Sequence, residues 1–550
     1  MTRVTTTAER KSEIHPNAVL AIVLTAVFMN LLDISIVNVA IPSIQKDLTA
    51  SFAEIQLVLA GYQLAFACLL ITGGRLGDIY GRKRLFILGM AVFTLGSLGC
   101  GVSGSPTLLI LFRIVQGAGA GLMVPQVLST IQVTIPPRDR GRAFGLFGAT
   151  IGIATILGPL VGGALISLNL FGTDWRMIFL VNIPVGIASI TAAFRLLPET
   201  VAPDAPRLDI PGALVVTLGL FLVVYPLTEG REKGWPVWLV AMVVAAVPVL
   251  WAFVAVQRRK TAANASPLVL MTLFGNQSFR VGLVVSLVFF AGIPAFFFTF
   301  GLYLQIGLGF SALHAGLTGF PFALGTAIAS SQSDRITKRI GTNILRFGAG
   351  LLSLSMVILI GAVHHFGTGI TSWDIAPFLL LSGLGLGCFV APLTNLILAG
   401  IHGREAGSAS GVLTTGQQVG GALGVAVVGI VFFGLLSSHA SAAAHAARTR
   451  LPAAVPATVA SHFEGCFVTQ SKAPDPSVTP AGCGIPTGTP ATIQAAFGRA
   501  AAYGRRVDFV HAFERTLLYE VGVFLLAALL VTFLPRVDPA SLGHGPPAAE

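Results

Sequence analysis

Between Asn17 and Pro535 the chain is a succession of apolar windows, each of roughly 20 residues, separated by short polar connections. Segments that long and that apolar suit lipid as their solvent. In lipid every backbone amide must be bonded internally, so each window reads as a helix. The windows predict fourteen helices, near residues 18–41, 54–74, 85–103, 107–132, 142–168, 176–197, 209–228, 236–256, 280–304, 312–332, 344–363, 374–399, 407–436 and 515–535. Composition agrees, since 54% of the residues are hydrophobic and only 10% charged, against about a quarter charged in soluble domains. Mean hydropathy is +0.82. The expected class is an all-α polytopic membrane protein, in contact with membrane lipid. Its net charge of +11 does not predict a nucleic-acid partner, because the bases fall in alternate connections instead of one patch.

Those bases orient the chain. The first window follows Arg3, Arg10 and Lys11 but is too long for a signal peptide, which makes it an uncleaved helix. One set of connections carries Arg75, Arg82, Lys83 and Arg84, then Arg138, Arg140 and Arg142, then Arg258, Arg259 and Lys260, then Arg335, Lys338 and Arg339. By the positive-inside rule these are cytoplasmic, as are both termini. Residues 437–514 then form one long outside loop, rich in Ala and Pro. Of the five cysteines, Cys68, Cys100 and Cys388 lie in apolar windows, whereas Cys466 and Cys483 share that loop. An oxidising outside compartment makes them a candidate disulfide; two unpaired thiols are the other reading.

A faint internal repeat is visible. GRLGDIYGRKR (74–84) follows the second window and SDRITKRIG (333–341) the tenth, each placing an Asp before several bases, although the second copy lacks most of the glycines. A repeat of this kind divides the chain into six-helix halves over 1–200 and 263–535, two inserted helices over 201–262, and a cytoplasmic tail, 536–550.

Two ionisable side chains, Asp33 and Arg113, fall at hydrocarbon depth in this reading. Each costs about 2.5–3.5 kcal/mol on insertion scales, so such residues usually face a cavity or a partner and mark a pathway. Asp33 reads as an exchangeable proton carrier or as a static interhelical hydrogen bond, and Arg113 as its partner or as a clamp on backbone carbonyls. The windows also hold Asn30, Asn38, Gln63, Gln116, Gln126, Gln132, Asn182, Asn395, Gln417 and Gln418, most of them expected to bond between helices. In GIATILGPLVGG, Gly158 and Pro159 interrupt the helical ladder while Gly152, Gly162 and Gly163 admit close helix approach, a candidate bend. The Phe-rich stretch from Phe289 to Gln305 reads either as lipid-facing packing or as aromatic surface for cargo.

Five segments together resemble a known family. GRLGDIYGRKR resembles the signature between the second and third helices of the major facilitator superfamily, and RIVQGAGAG (113–121) its fourth-helix motif. GIATILGPLVGG (152–163) resembles the fifth-helix motif of its antiporters. LLDISIVNVAIP (31–42) and WRMIFLVNIPVG (175–186) resemble stretches of the fourteen-helix drug:proton antiporters. The resemblance implies the facilitator fold and assigns roles by position. Gly74, Gly77, Asp78, Gly81, Arg82 and Arg84 fall at the conformational latch; Asp33 and Arg113 at the proton-coupling positions; Gly152, Gly158, Pro159, Gly162 and Gly163 at the antiporter bend.

The expected function is a proton-coupled antiporter exporting lipophilic small molecules, such as drugs or antibiotics, across the cytoplasmic membrane by alternating access. A dedicated exporter of an endogenous metabolite or lipid is the alternative, and sodium in place of protons stays open. No HExxH, GxSxG or P-loop spacing occurs, so an enzyme is not expected, nor a metal or cofactor. The protein is expected to be a monomer.

Overall fold

A computed structural model describes residues 16–50, 52–169, 172–201, 208–230, 233–263, 265–453, 455–472, 482–483 and 491–535. The expected cytoplasmic tail and the first basic residues lie outside them. The first half contains α1 (Pro16–Asp47), α2 (Phe52–Tyr80), α3 (Arg82–Gly101), α4 (Pro106–Thr134), α5 (Pro137–Leu168) and a sixth span built from the short α6 (Met177–Leu180) and α7 (Asn182–Leu196). Next come α8 (Ile210–Glu229) and α9 (Val237–Ala262). The second half contains α10 (Gln277–Leu302), α11 (Ala312–Ile340), α12 (Asn343–Phe366), α13 (Ser372–Ala399), α14 (Ala406–Arg448), α15 (Ala457–Ser471) and α16 (Ala491–Leu530).

Among the described residues twelve helices are long and apolar enough to cross a membrane. The 32-residue α5 and 29-residue α11 are also of spanning length and pack inside the bundle, consistent with fourteen. Local chemistry fixes several starts. Ser105 caps α4 by accepting from the Leu108 amide, with Pro106 at its first position, and Asn276 and Ser311 cap α10 and α11 in the same way. Apolar side chains such as Val244, Val247 and Trp251 of α9 stand exposed, as a lipid-facing surface requires.

The inserted pair is tied to the first half and to itself. The Thr217 hydroxyl of α8 donates to the Cys68 carbonyl of α2 at 3.3 Å. Asp209, buried at the start of α8, accepts from the Gly212 amide at 2.9 Å, Gln257 Nε2 at 2.8 Å and Lys260 Nζ at 2.6 Å. Burial alone would raise the Asp209 pKa, but these hydrogen bonds and the Lys260 charge outweigh it and hold the carboxyl below its usual range.

Two expectations are corrected here. Residues 437–514 are not simply a loop: α14 runs on to Arg448, α15 occupies Ala457–Ser471, and the last helix begins at Ala491, well before 515. Hydropathy does not register this stretch, yet its many alanines are strong helix formers. Cys466 and Cys483 are joined in a disulfide there, with Cα atoms 5.4 Å apart. The Phe-rich stretch is not chiefly lipid-facing either. Phe289, Phe296 and Phe300 are buried, and Phe289 stacks on Phe389 of α13 at 3.9 Å.

Candidate functional site

The helices of the first half converge on Asp33, which is fully buried, as is Arg113. Arg113 Nη1 donates to Asp33 Oδ2 at 2.5 Å and to Gln116 Oε1 at 2.7 Å, and its Nε donates to the Val58 carbonyl of α2 at 3.1 Å. On the other carboxylate oxygen, Oδ1, Gln116 Nε2 donates at 2.7 Å and Asn182 Nδ2 at 3.1 Å. Ser97 of α3 accepts from both amides, at 2.7 Å and 3.3 Å. The Arg113 guanidinium also lies over the Tyr62 ring, 4.2 Å from its centroid, a cation–π contact, while Tyr62 donates to Asn30 at 2.6 Å. One carboxylate thus joins α1, α4 and α7 directly, with α3 held through Ser97 on the two amides and α2 through Arg113. Because Arg113 keeps Val58, Gln116 and Tyr62, neutralising Asp33 would not leave it without partners.

At one end of the bundle, α2 meets α14 of the opposite half. The Asp78 carboxylate accepts from Arg82 Nη2 at 2.6 Å, the Gly407 amide at 3.0 Å and the Ser408 amide at 3.0 Å. An anion at a helix N-terminus meets unpaired amides and the positive end of the helix dipole. Arg82 continues across to the Gly403 carbonyl at 2.8 Å. Gly74 makes this approach possible: a Cβ there would lie 2.2 Å from the Gly407 carbonyl oxygen. Gly77 leaves room for Gln126, which donates to the Gly73 carbonyl at 2.8 Å. Gly81 has φ +105°, a backbone suited to glycine, and Arg84 pairs with Glu199 at 3.5 Å. The second copy of the motif is placed comparably, since a Cβ at Gly141 of α5 would lie 2.0 Å from Asp334 Oδ1.

The motif glycines of α5 divide into three kinds. A Cβ at Gly158 or Gly162 would strike Ser35 or Ile36, immediately beyond Asp33 in α1, whereas one at Gly152 would strike Thr326 of α11 in the other half. Gly163 meets nothing within 4 Å, so it makes no close approach. Pro159 falls inside α5, with its side chain outside the described residues. The WRMIFLVNIPVG stretch is anchored at both ends: Asn182 reaches Asp33, and at the helix-end loop Asp47 accepts from Arg176 at 2.7 Å and Trp175 at 3.1 Å. The Arg176 hydrogen bond, then that from Trp175, pulls the Asp47 pKa below its usual value.

Residues 23–425 match the family model described as Major Facilitator Superfamily. The chain belongs to that superfamily. Among similar facilitators, the "Probable actinorhodin transporter" of Streptomyces coelicolor is 39% identical over 94% of this chain and 91% of its own. The puromycin resistance protein pur8 of Streptomyces alboniger is 36% identical over 76% and 82%. The tetracenomycin C resistance and export protein of Streptomyces glaucescens is 33% identical over 76% of each. Solved facilitators share the fold. The human organic anion transporter MFSD10 superposes with a TM-score of 0.56 at 14% identity, covering 94% of this chain and 99% of its own. The proton:xylose symporter XylE gives 0.54 at 13%, covering 83% and 94%.

Within this facilitator fold the polar residues that the sequence left unsorted separate clearly. Gln116 and Asn182 bind Asp33; Gln126 and Gln132 bind backbone carbonyls, the latter that of Leu398 across the halves at 2.6 Å; Asn38 donates only to its own helix, to the Ile34 carbonyl. Ser97, Tyr62, Gly407 and Ser408 carried no signal in the sequence beyond their place in apolar windows. A further buried acid, Glu520 of α16, which lies five residues inside the expected last window and was not singled out there, adds a third ionisable group to Asp33 and Arg113.

Proposed function

We propose that this facilitator is a proton-coupled antiporter that exports lipophilic small molecules across the cytoplasmic membrane by alternating access, with both termini cytoplasmic. The observation that carries the reading is the buried Asp33 carboxylate held by Arg113, Gln116 and Asn182. Protonation removes the charge that Arg113 pairs and one of the acceptor sites the two amides use, so it loosens the junction of α1 with α4 and α7. The contact of Gly158 and Gly162 with Ser35 and Ile36 couples that loosening to α5, the proposed bend. Asp78 and Arg82 then act as the latch that holds the two halves together at the charged end until α1 and α5 move. The Phe-lined interior of the second half suits apolar cargo.

The energy is sufficient. One elementary charge moving through 100 mV is worth about 2.3 kcal/mol, and about 1.4 kcal/mol sustains a tenfold ratio, so one proton supports a gradient of roughly fiftyfold for a neutral compound. The test is pH-gradient-driven uptake of a panel of drugs and dyes into inverted vesicles. Uptake of several unrelated compounds by the native chain, lost in Asp33→Asn, is expected; equal uptake by the variant would contradict the role of Asp33. A second reading, dedicated export of one self-made metabolite, is favoured by the near full-length similarity to the actinorhodin transporter. Uptake confined to one chemical class would select it.

A further inference from the structure

Glu520 is fully buried, ten residues from the end of α16 at Leu530, or about 15 Å along the helix, half of a bilayer core of about 30 Å. Neither of its carboxyl oxygens has a hydrogen-bond partner. Its surroundings are apolar and tight. A Cβ at Gly292 of α10 would lie 3.0 Å from Glu520 Oε2 and 2.8 Å from the Phe524 ring, and Phe524 packs against Phe289 at 5.5 Å. Of the ionisable groups on the packed helices, Arg280 of α10 bonds the Phe274 carbonyl at 3.2 Å, Arg346 of α12 bonds Asn343 at 3.3 Å, His364 of α12 meets Glu514 at 3.1 Å and His439 of α14 meets His511, while Tyr519 is the neighbour of Glu520 on α16.

The contrast with the first half is informative. There an acid sits among a guanidinium and two amides; here an acid sits with none. An isolated carboxylate in such a setting would be very costly, so the packing accommodates only the uncharged acid. A Leu of similar size would fill the same space without burying two unpartnered polar oxygens. A cargo molecule does not fit beside it without moving Gly292 and Phe524, whereas a proton does.

We propose that Glu520 is a second proton-binding carboxyl of the transport cycle, neutral in this conformation and ionised when the second half rearranges. It takes its proton from water on one side of the membrane and returns it to water on the other, with no covalent change. This rests on the proton-coupled reading above and makes the coupling two-site, one acid in each half.

Infrared spectroscopy of the substrate-free protein in liposomes tests it without a known cargo. The native chain should show the carbonyl stretch of a protonated carboxyl that shifts in D2O; Glu520→Gln should lose that band and Asp33→Asn keep it. An identical spectrum in Glu520→Gln, or a native band that never shifts in D2O, would overturn the proposal, the second without any variant. With membrane potential clamped and a pH gradient of one unit, the accumulation limit of the neutral dye Nile red should fall about tenfold in Glu520→Gln, the ratio one proton supplies. A loss seen for cationic ethidium and not for Nile red would instead make Glu520 a cargo contact. Native vesicles that accumulate neither dye under the gradient, though the band exchanges, would count against the coupling reading and leave Glu520 an exchangeable acid.

Discussion

Asp78→Asn should shift the balance between the two ends of the transporter by a predictable amount. The carboxylate accepts three charge-assisted hydrogen bonds, two of them from amides at the N-terminus of α14 in the opposite half. Asn retains one acceptor oxygen, turns an amide NH2 toward a backbone N–H, and loses the charge that the helix terminus favours. Bonds to charged groups are worth about 1.5–3 kcal/mol each and the helix-end interaction about 0.3–1 kcal/mol, so the closed junction should lose about 2–4 kcal/mol. With the junction parted both side chains meet water, so the loss falls on the closed arrangement. The population with this end open should therefore rise on the order of 30- to 1000-fold relative to the closed one. Spin labels at Tyr80 and Ile340, both exposed and in opposite halves, report the separation. Turnover should fall more than cargo affinity does. An open population, read from the distance distribution, within about twofold of the native one would refute the latch role.

Three other outcomes are expected. Gly74→Val places side-chain atoms where Gly407 now lies, so the same labels should show an end that cannot close, in a protein that still inserts and folds. Replacing Cys466 and Cys483 together by Ser should cost about 3 kcal/mol of local stability, read as faster proteolysis beyond α14, while transport is preserved; an inactive double variant would give this segment a larger role. Asp209 has a depressed pKa, so its stabilising effect is full above the unfolded value of about 3.9 and is lost as pH falls through the lower folded value. The thermal-stability difference between the native chain and Asp209→Asn should accordingly be constant near neutrality and shrink below about pH 4; a difference that persists in strong acid would contradict it.

Much of the architecture was legible because a bilayer permits few solutions: length and hydropathy located the twelve helices apolar enough to cross it, and the rarity of charge at depth singled out Asp33 and Arg113. What hydropathy does not encode is which face of a helix meets a neighbour. Gln116, Asn182 and Gln126 look alike in the sequence, and only the packing of α4 and α7 against α1, and of α4 against α2, assigns two of them to the carboxylate and one to a backbone carbonyl. Gly407 and Ser408 act through backbone amides, which no residue type announces. The helical extension from Ala491 was hidden because Arg499, Arg505, Arg506 and Asp508 hold its hydropathy down although its alanines favour helix, and Glu520 was obscured by lying a few residues inside the expected start of that last window.

In the proposed cycle Asp33 exchanges a proton against cargo. Substrate-induced proton release from purified protein in detergent tests it most directly, using compounds that the native chain transports. The native chain should release protons on cargo binding, and Asp33→Asn should release markedly fewer with binding retained. Undiminished release by a folded Asp33→Asn protein would contradict it.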